Sequence, residues 1–421
     1  MFQKVQVLLQ EEEKKRILSN FLSLLVLQSA NFLLPLIILP YLVRTLEPEK
    51  FGLIMFAQAF ITYFTIFTDY GFNLSATREI SIARENKEKI SKIFSAVMLI
   101  KIILLIISFL LLSAIVFSFT RFKEDRLVFI FTFGIVLGQT IFPVWFFQGI
   151  ERMKYITILN IIAKLIFMIA IFLVVHQTSD YLYVPILNSM GYIIAGLISL
   201  YIIFSHFDIQ LHKPKKSMLI RLFKESTQLF FSNLSVTLFT ISNTFILGLL
   251  TNNTIVGVYA SIERVIIAIK NLYIPLYQAL FPWLSKKNKK EIEIFIRRLI
   301  PIIFIISLLF FIILLFFAED ILNILYSNPI IIQHVLIFKF FSLISIFAAL
   351  NMLFNLLYLS SIRAYKERMN IMLKSGLYSI TTTIVMTFFF GIYGTAFSAV
   401  STELVLLLFG IYYFTKIRRN G

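Results

Sequence analysis

Twelve apolar runs are strung along these 421 residues, each near or above the roughly 20 residues that carry a helix across hydrocarbon. The basic residues between them alternate from dense to sparse. No other feature restricts the fold as strongly. The runs lie near 17–43, 52–74, 92–118, 127–149, 156–176, 181–206, 226–250, 255–281, 299–318, 331–361, 371–391 and 394–415. They predict an all-α polytopic membrane protein. Only 14% of the residues are charged, whereas a soluble surface takes roughly a quarter, so lipid must cover much of this one. Pro35 and Pro40 predict a bend in the first span.

Of the 39 lysines and arginines, 29 fall at the two ends and in every second loop. The alternate loops hold only Arg44, Lys50, Arg121, Lys123 and Arg126, and five more lie inside spans. The positive-inside rule then puts both termini in the cytoplasm and makes the number of spans even. The net charge of +17 thus reflects orientation and attraction to anionic lipid; it forms no single patch for nucleic acid. Glu11–Glu13 and Lys14–Arg16 precede an apolar run too long for a cleavable signal, so that run is expected to remain as the first span.

The absence of cysteine excludes disulfides, thiolate metal sites and a cysteine nucleophile. The four histidines match no metal spacing, and no glycine loop followed by Lys-Ser/Thr is present to bind a nucleotide. No catalytic residue, metal ligand or cofactor is assigned.

The basic connection after the sixth span suggests a cytoplasmic N-terminus 1–16, a six-helix bundle 17–206, a linker 207–225, a second bundle 226–416 and a cytoplasmic tail 417–421. Weak self-similarity agrees. LSNFLSLLVLQSAN (18–31) aligns with FSNLSVTLFTISN (231–243), and KFGLIMFAQAF (50–60) with IVGVYASIERV (255–265). The second alignment places Gly52 on Gly257 and Gln58 on Glu263. Because both halves begin on the same side, the repeat would be parallel, about an axis along the membrane normal.

Three stretches, LPLIILPYLVRTLEPEKFGLIMFAQAF (34–60), TDYGFNLSATREISIARENKEKISKIF (68–94) and PVWFFQGIERMKYIT (143–157), carry a family resemblance. The chain resembles the Wzx-type O-antigen and polysaccharide flippases of the multidrug/oligosaccharidyl-lipid/polysaccharide exporter superfamily. The resemblance implies two six-helix bundles working by alternating access in the bacterial inner membrane. Its implied cargo is an undecaprenyl-pyrophosphate-linked glycan moved to the outer leaflet, with membrane lipid and the pathway's polymerase and chain-length proteins as partners. In DYGFNLSATRE, Asp69, Gly71 and the following polar residues read as a helix break at a cytoplasmic gate, with Arg78 placed to return to Asp69; an ordinary solvated helix end is the other reading. Trp145 and Tyr155 suit interfacial anchors, and Gln148 and Glu151 are lesser gate candidates.

The charges inside spans carry the chemistry. A charge placed in hydrocarbon costs about 2.5–3.5 kcal/mol on insertion scales, so each one calls for a reason. Lys101, Lys164, Arg264, Lys270 and Lys339 are the cations; Glu263, Glu403 and Asp69 oppose them. Lys101, Lys164 and Lys339 lie eight or nine residues from their span ends, about 12 Å of rise, and a lysine stem reaches only about 6 Å. Glu263 and Lys270, seven residues apart, share a helix face, where Glu263 would offset Lys270 in an empty cavity; Glu403 is a second candidate for charge balance or coupling. A cation-lined, water-filled cavity selects an anion, and a pyrophosphate head group is one. Gln28, Asn31, Gln58, Gln139, Asn160, Asn188, Ser242, Asn243, Asn351 and Asn355 would bind sugars or pack helices. The competing classes are a drug antiporter, which for organic cations would need carboxylates in the cavity, and a membrane-embedded polymerase, which would need a larger outer loop.

Reporter fusions at Tyr41, Asn253 and Gly391 are expected outside and one at Lys289 inside. An external Lys289 fusion would remove both the span count and the two-bundle organisation.

Overall fold

The computed structural model describes the chain from Phe2 to Arg419, with side chains described from residue 34 onward except at 36, 235, 236, 238–240, 278, 279, 282 and 418–419. The side chains of Gln28 and Asn31 lie outside the described residues. Every regular element described is a helix, and no strand occurs among the described residues. In order they are α1 (Phe2–Asp69), α2 (Phe72–Ile82), α3 (Lys87–Ser118), α4 (Thr120–Lys123), α5 (Arg126–Ile141), α6 (Val144–Gly149), α7 (Met153–Val174) and α8 (Tyr183–Ser205). Then come α9 (Lys216–Leu250), α10 (Asn253–Asn271), α11 (Tyr273–Leu284), α12 (Lys289–Phe316), α13 (Ala318–Tyr326) and α14 (Pro329–Ile332). Last are α15 (Val335–Phe341), α16 (Leu343–Asn351), α17 (Leu359–Ser361) and α18 (Tyr365–Arg419), with a π-helix at Met352–Tyr358 joining α16 to α17. This is an all-α polytopic membrane protein: eight helical runs among the described residues are long and apolar enough to cross a membrane, and with α1 and α18 each breaking into two the fold accommodates about twelve passes.

Local chemistry explains the breaks. Within α1 the only non-helical residue is Glu47, at φ 60° and ψ 164°, immediately before Pro48. Proline disfavours the helical region for the residue ahead of it, and the first two passes separate at Glu47–Pro48, whereas helical dihedrals persist through Pro35 and Pro40. Gly391, at φ 55° and ψ −131°, separates the last two passes in a region that only glycine enters readily. Other starts are capped in the ordinary way. Asn86 accepts from the Lys89 amide, and Asn288 and Glu291 form a reciprocal capping box on α12. The lipid side is visible on α12, where Ile302, Ile305 and Leu309 are exposed while Ile303 and Ser307 are buried.

Contacts divide the chain into two compact units: residues 1–38 with 60–234, and 39–59 with 235–421. In the first unit α5 approaches α8 closely at two glycines, Gly134 against Ser189 and Gly138 against the backbone and Cβ of Tyr192. In the second, the stretch after the Glu47 break crosses the start of α10 at two glycines. A Cβ on Gly52 would lie 1.9 Å from the Asn253 carbonyl oxygen, and one on Gly257 would lie 1.9 Å from that of Pro48. These are the two glycines that the internal repeat aligns. Each presses on the backbone at the start of the other's helix, the reciprocity expected of repeat-related elements that meet.

Gly52→Ala and Gly257→Ala should each destabilise the fold by the roughly 1–3 kcal/mol typical of overpacking, read as a lower unfolding temperature in detergent. Unchanged unfolding temperatures for both would mean that the helices do not cross this closely.

Candidate functional site

The break between α1 and α2 builds one wall of the site. Tyr70 and Gly71 take left-handed conformations, φ 46° and 81°, which end α1 at Asp69 and restart the chain as α2. A helix in the same unit holds the break in place. Tyr70 lies between Phe223 and Phe230 of α9, with ring centroids 4.2 and 4.7 Å away, and a Cβ on Gly71 would meet Leu229 Cβ at 2.7 Å. Ser75 and Ser226 hydroxyls hydrogen-bond at 2.7 Å nearby.

The α2 helix packs on α6, so the DYGFNLSATRE and WFFQGIER stretches form one assembly. Thr77 Oγ1 lies 3.2 Å from the Trp145 carbonyl and 3.3 Å from Gln148 Oε1. Gly149 lets Ile80 approach, and Arg84 pairs with Glu151 at 2.5 Å. Trp145 is fully buried, so the expected interfacial anchor is instead part of the core, packed against Phe94. Tyr155 stacks on Phe147 and is half-buried.

Between this assembly and the bundle lies a cavity of about 470 Å³. It opens where two helices are interrupted, at Asp69–Asn73 between α1 and α2 and at Phe142–Val144 between α5 and α6. Irregular backbone at membrane depth is tolerated where it lines a cavity, because water or a ligand can then satisfy the freed polar groups. Lys101 and Lys164 reach this space, with Thr65, Thr68, Gln139, Asn160 and Tyr192 also on its walls. Lys101 is buried and sits 3.5 Å from the Asp69 carboxylate. Asp69 therefore pairs across to α3, and Arg78, exposed on α2, makes no ion pair among the described residues. The expected Asp69–Arg78 pair is replaced because the Tyr70–Gly71 turn separates α2 from the end of α1.

A second charged locus lies in the other unit. Lys270, in the last turn of α10, pairs with Glu403 of α18. Asn351 Nδ2 donates to the other Glu403 oxygen at 2.9 Å, and Asn355 Nδ2 donates to Asn351 Oδ1 at 2.5 Å and to the Leu406 carbonyl at 3.0 Å. Glu263 forms no ion pair with Lys270 among the described residues. It accepts from Tyr259 Oη at 3.0 Å and from Thr244 Oγ1 at 3.4 Å. Arg264 is exposed, its Nη2 3.9 Å from Met55 Sδ. Lys339, near the end of α15, is half-buried and joins neither group of charges. Among the described residues no cluster of His, Asp or Glu is arranged to hold a metal.

Sequence reasoning singled out every charge in the two loci but paired two of them wrongly. The partners of Lys101 and Lys270 lie 32 and 133 residues away on other helices, beyond the reach of helix-face arithmetic. The π-helix left no signal in composition.

Breaking a buried pair by removing one partner costs about 3–5 kcal/mol, more than removing both. Asp69→Asn and Lys101→Met should each lower the unfolding temperature, and the double variant should recover part of the loss; strict additivity would mean the two side chains do not interact.

The chain matches the polysaccharide biosynthesis protein family over residues 17–288. It is 28% identical over 396 residues to an Escherichia coli (strain K12) protein named "Putative O-antigen transporter", covering 91% of this chain and 93% of that protein. A Shigella dysenteriae protein of the same name is 31% identical over 275 residues, covering 65% and 68% of the two chains. In fold it is similar to an inward-facing multidrug resistance MATE family transporter of the MOP superfamily, with TM-score 0.68, 14% identity and coverage of 92% of this chain and 96% of that one. It is likewise similar to the lipid II flippase MurJ in an inward closed conformation, with TM-score 0.67, 14% identity and coverage of 94% and 86%. With a family match over well more than half of its length, the chain belongs to the polysaccharide biosynthesis protein family, of Wzx type.

Proposed function

We propose that this chain is a flippase that moves an undecaprenyl-pyrophosphate-linked oligosaccharide, an O-antigen or other surface-polysaccharide repeat unit, from the cytoplasmic to the outer leaflet of the bacterial inner membrane. Family membership supports polysaccharide transport. The observation that carries the anionic cargo is the cavity at the helix breaks, where Lys101 and Lys164 project into a polar space inside an apolar bundle. Ammonium groups there attract phosphate oxygens, and Gln139, Asn160 and Tyr192 offer hydrogen bonds of the kind sugars take. Lys270 and Arg264 of α10 and Lys339 of α15 supply further cations.

Two six-helix bundles, 17–206 and 226–416 joined by the 207–225 linker, would rock in alternating access with both termini in the cytoplasm. Asp69 with its break at Tyr70–Gly71 would serve the cytoplasmic gate, and Arg78 would flank it. The drug-antiporter reading is disfavoured by the sign of the lining: the cavity carries the two ammonium groups of Lys101 and Lys164 against the one carboxylate of Asp69, the opposite of what an organic cation needs. Handover to a polymerase and chain-length proteins would follow in the outer leaflet.

The membrane potential favours this direction, since one charge crossing 100 mV gains about 2.3 kcal/mol and the head group is anionic. A strain lacking the protein should accumulate its lipid-linked oligosaccharide in the cytoplasmic leaflet, and energised vesicles should translocate it without nucleotide. Normal surface glycan in that strain would overturn the proposal. At wild-type abundance, Lys270→Arg should retain more export than Lys270→Ala, and Lys270→Glu should abolish it; normal export by Lys270→Met would remove Lys270 from the cargo path.

A further inference from the structure

Lys270 was placed by its sequence as a cargo-binding cation, yet in the structure it already holds an anion. The two partners are unequal. The Glu403 side chain is 10% exposed and that of Lys270 28%, so the carboxylate is the deep member and the ammonium stands at the more open end. Glu403 also keeps a second donor, Asn351 Nδ2 at 2.9 Å. An ammonium has three donor hydrogens and a flexible four-carbon stem. It can turn toward a new anion, while the carboxylate, on the packed face of α18, stays where it is.

We propose that Glu403 is a resident anion: it occupies Lys270 while the site is empty, and phosphate oxygens of the cargo take its place during transport. The identity of that anion rests on the flippase reading above. Glu403 then acts as a specificity-determining residue. It sets a threshold that a weakly charged solute does not exceed and a dianionic pyrophosphate diester does.

The surroundings of the pair are arranged to respond. Asn351 ends α16 and Asn355 lies in the π-helix that follows. Single π turns inside α-helices are rare and concentrate at functional sites. Asn355 is almost fully buried, and its Oδ1 has no hydrogen-bond partner among the described residues. A buried acceptor left open marks a network that is incomplete in this arrangement. When Lys270 turns away, Glu403 retains only Asn351, and the Asn351–Asn355 link carries the change into the π segment. Asn351 and Asn355 are positioning residues in this scheme. The other charged groups on helices packed here, Glu263 and Arg264 on α10 and Lys339 on α15, form no ion pair with Glu403 or Lys270 among the described residues.

The test is binding of inorganic pyrophosphate to the full chain in lipid nanodiscs, measured by calorimetry at fixed salt. Removing the competitor with Glu403→Gln, which keeps shape and the Asn351 contact, should raise the affinity about tenfold, the scale of one charge pair. Adding Lys270→Met to that variant should abolish the gain. A purely architectural pair forecasts a lower unfolding temperature with no gain in affinity, and that result would overturn the proposal. If Glu403→Gln does not fold, Glu403→Asp keeps the charge but withdraws it by one methylene; an affinity gain of about threefold supports the exchange, and none overturns it. Because the probe is pyrophosphate alone, this outcome is independent of the glycan, whose misassignment would appear instead as normal surface polysaccharide in the deletion strain.

Discussion

Hydrocarbon supplies no hydrogen-bond partners, so a backbone that crosses it must satisfy itself as helix or be covered by protein where it does not. The rest of the structure follows from that constraint. Among the described residues every regular element is helical, and four interruptions within passes stand beside functional candidates: Tyr70–Gly71, Phe142–Pro143, Leu272 and the π-helix Met352–Tyr358. Charged and polar residues of interest gather there. Asp69 and Asn73 flank the first, Phe142 and Val144 bound the same cavity at the second, Lys270 precedes the third by two residues, and Asn355 lies in the fourth. A break frees backbone polar groups and admits water or a ligand, which in turn lowers the cost of an ammonium or carboxylate close by.

Sequence motif and cavity are connected by packing. The residues of DYGFNLSATRE that look functional divide into two roles. Tyr70, Gly71 and Ser75 hold the turn against α9 through stacked rings, a backbone approach that only glycine permits and a hydroxyl pair. Asp69 and Asn73, on either side of that turn, face the cavity. The same division holds in WFFQGIER, where Trp145 and Gly149 are core contacts for α2 and Gln148 and Glu151 carry its polar links. A motif so concentrated is therefore mostly the scaffold of a site, with few residues in the site itself.

Much of this was legible in the sequence. Helical periodicity, span length and the alternation of basic loops suffice for a twelve-pass protein, because lipid imposes one answer on any apolar run of that length. The cost of an intramembrane charge likewise marks Lys101, Lys164, Lys270, Glu263 and Glu403 in the sequence alone, since hydrocarbon penalises each of them whatever its neighbours. The match of Gly52 to Gly257 was visible as repetition, but not that the two residues meet.

Pairing was decided by tertiary structure alone. Which carboxylate neutralises which ammonium depends on the crossing of helices far apart in the chain, so Asp69 went to Lys101 instead of Arg78, and Lys270 to Glu403 instead of Glu263. The periodicity of one helix says which residues share its face and nothing about what lies opposite. Trp145 shows the same limit, because an aromatic residue near a span end reads as an anchor until packing buries it under α2 and α3. Sequence determined that charges had to be sheltered inside this membrane protein, because solvation energy depends on residue type. The folded chain decided where and by what they are sheltered, because contact depends on three-dimensional neighbours.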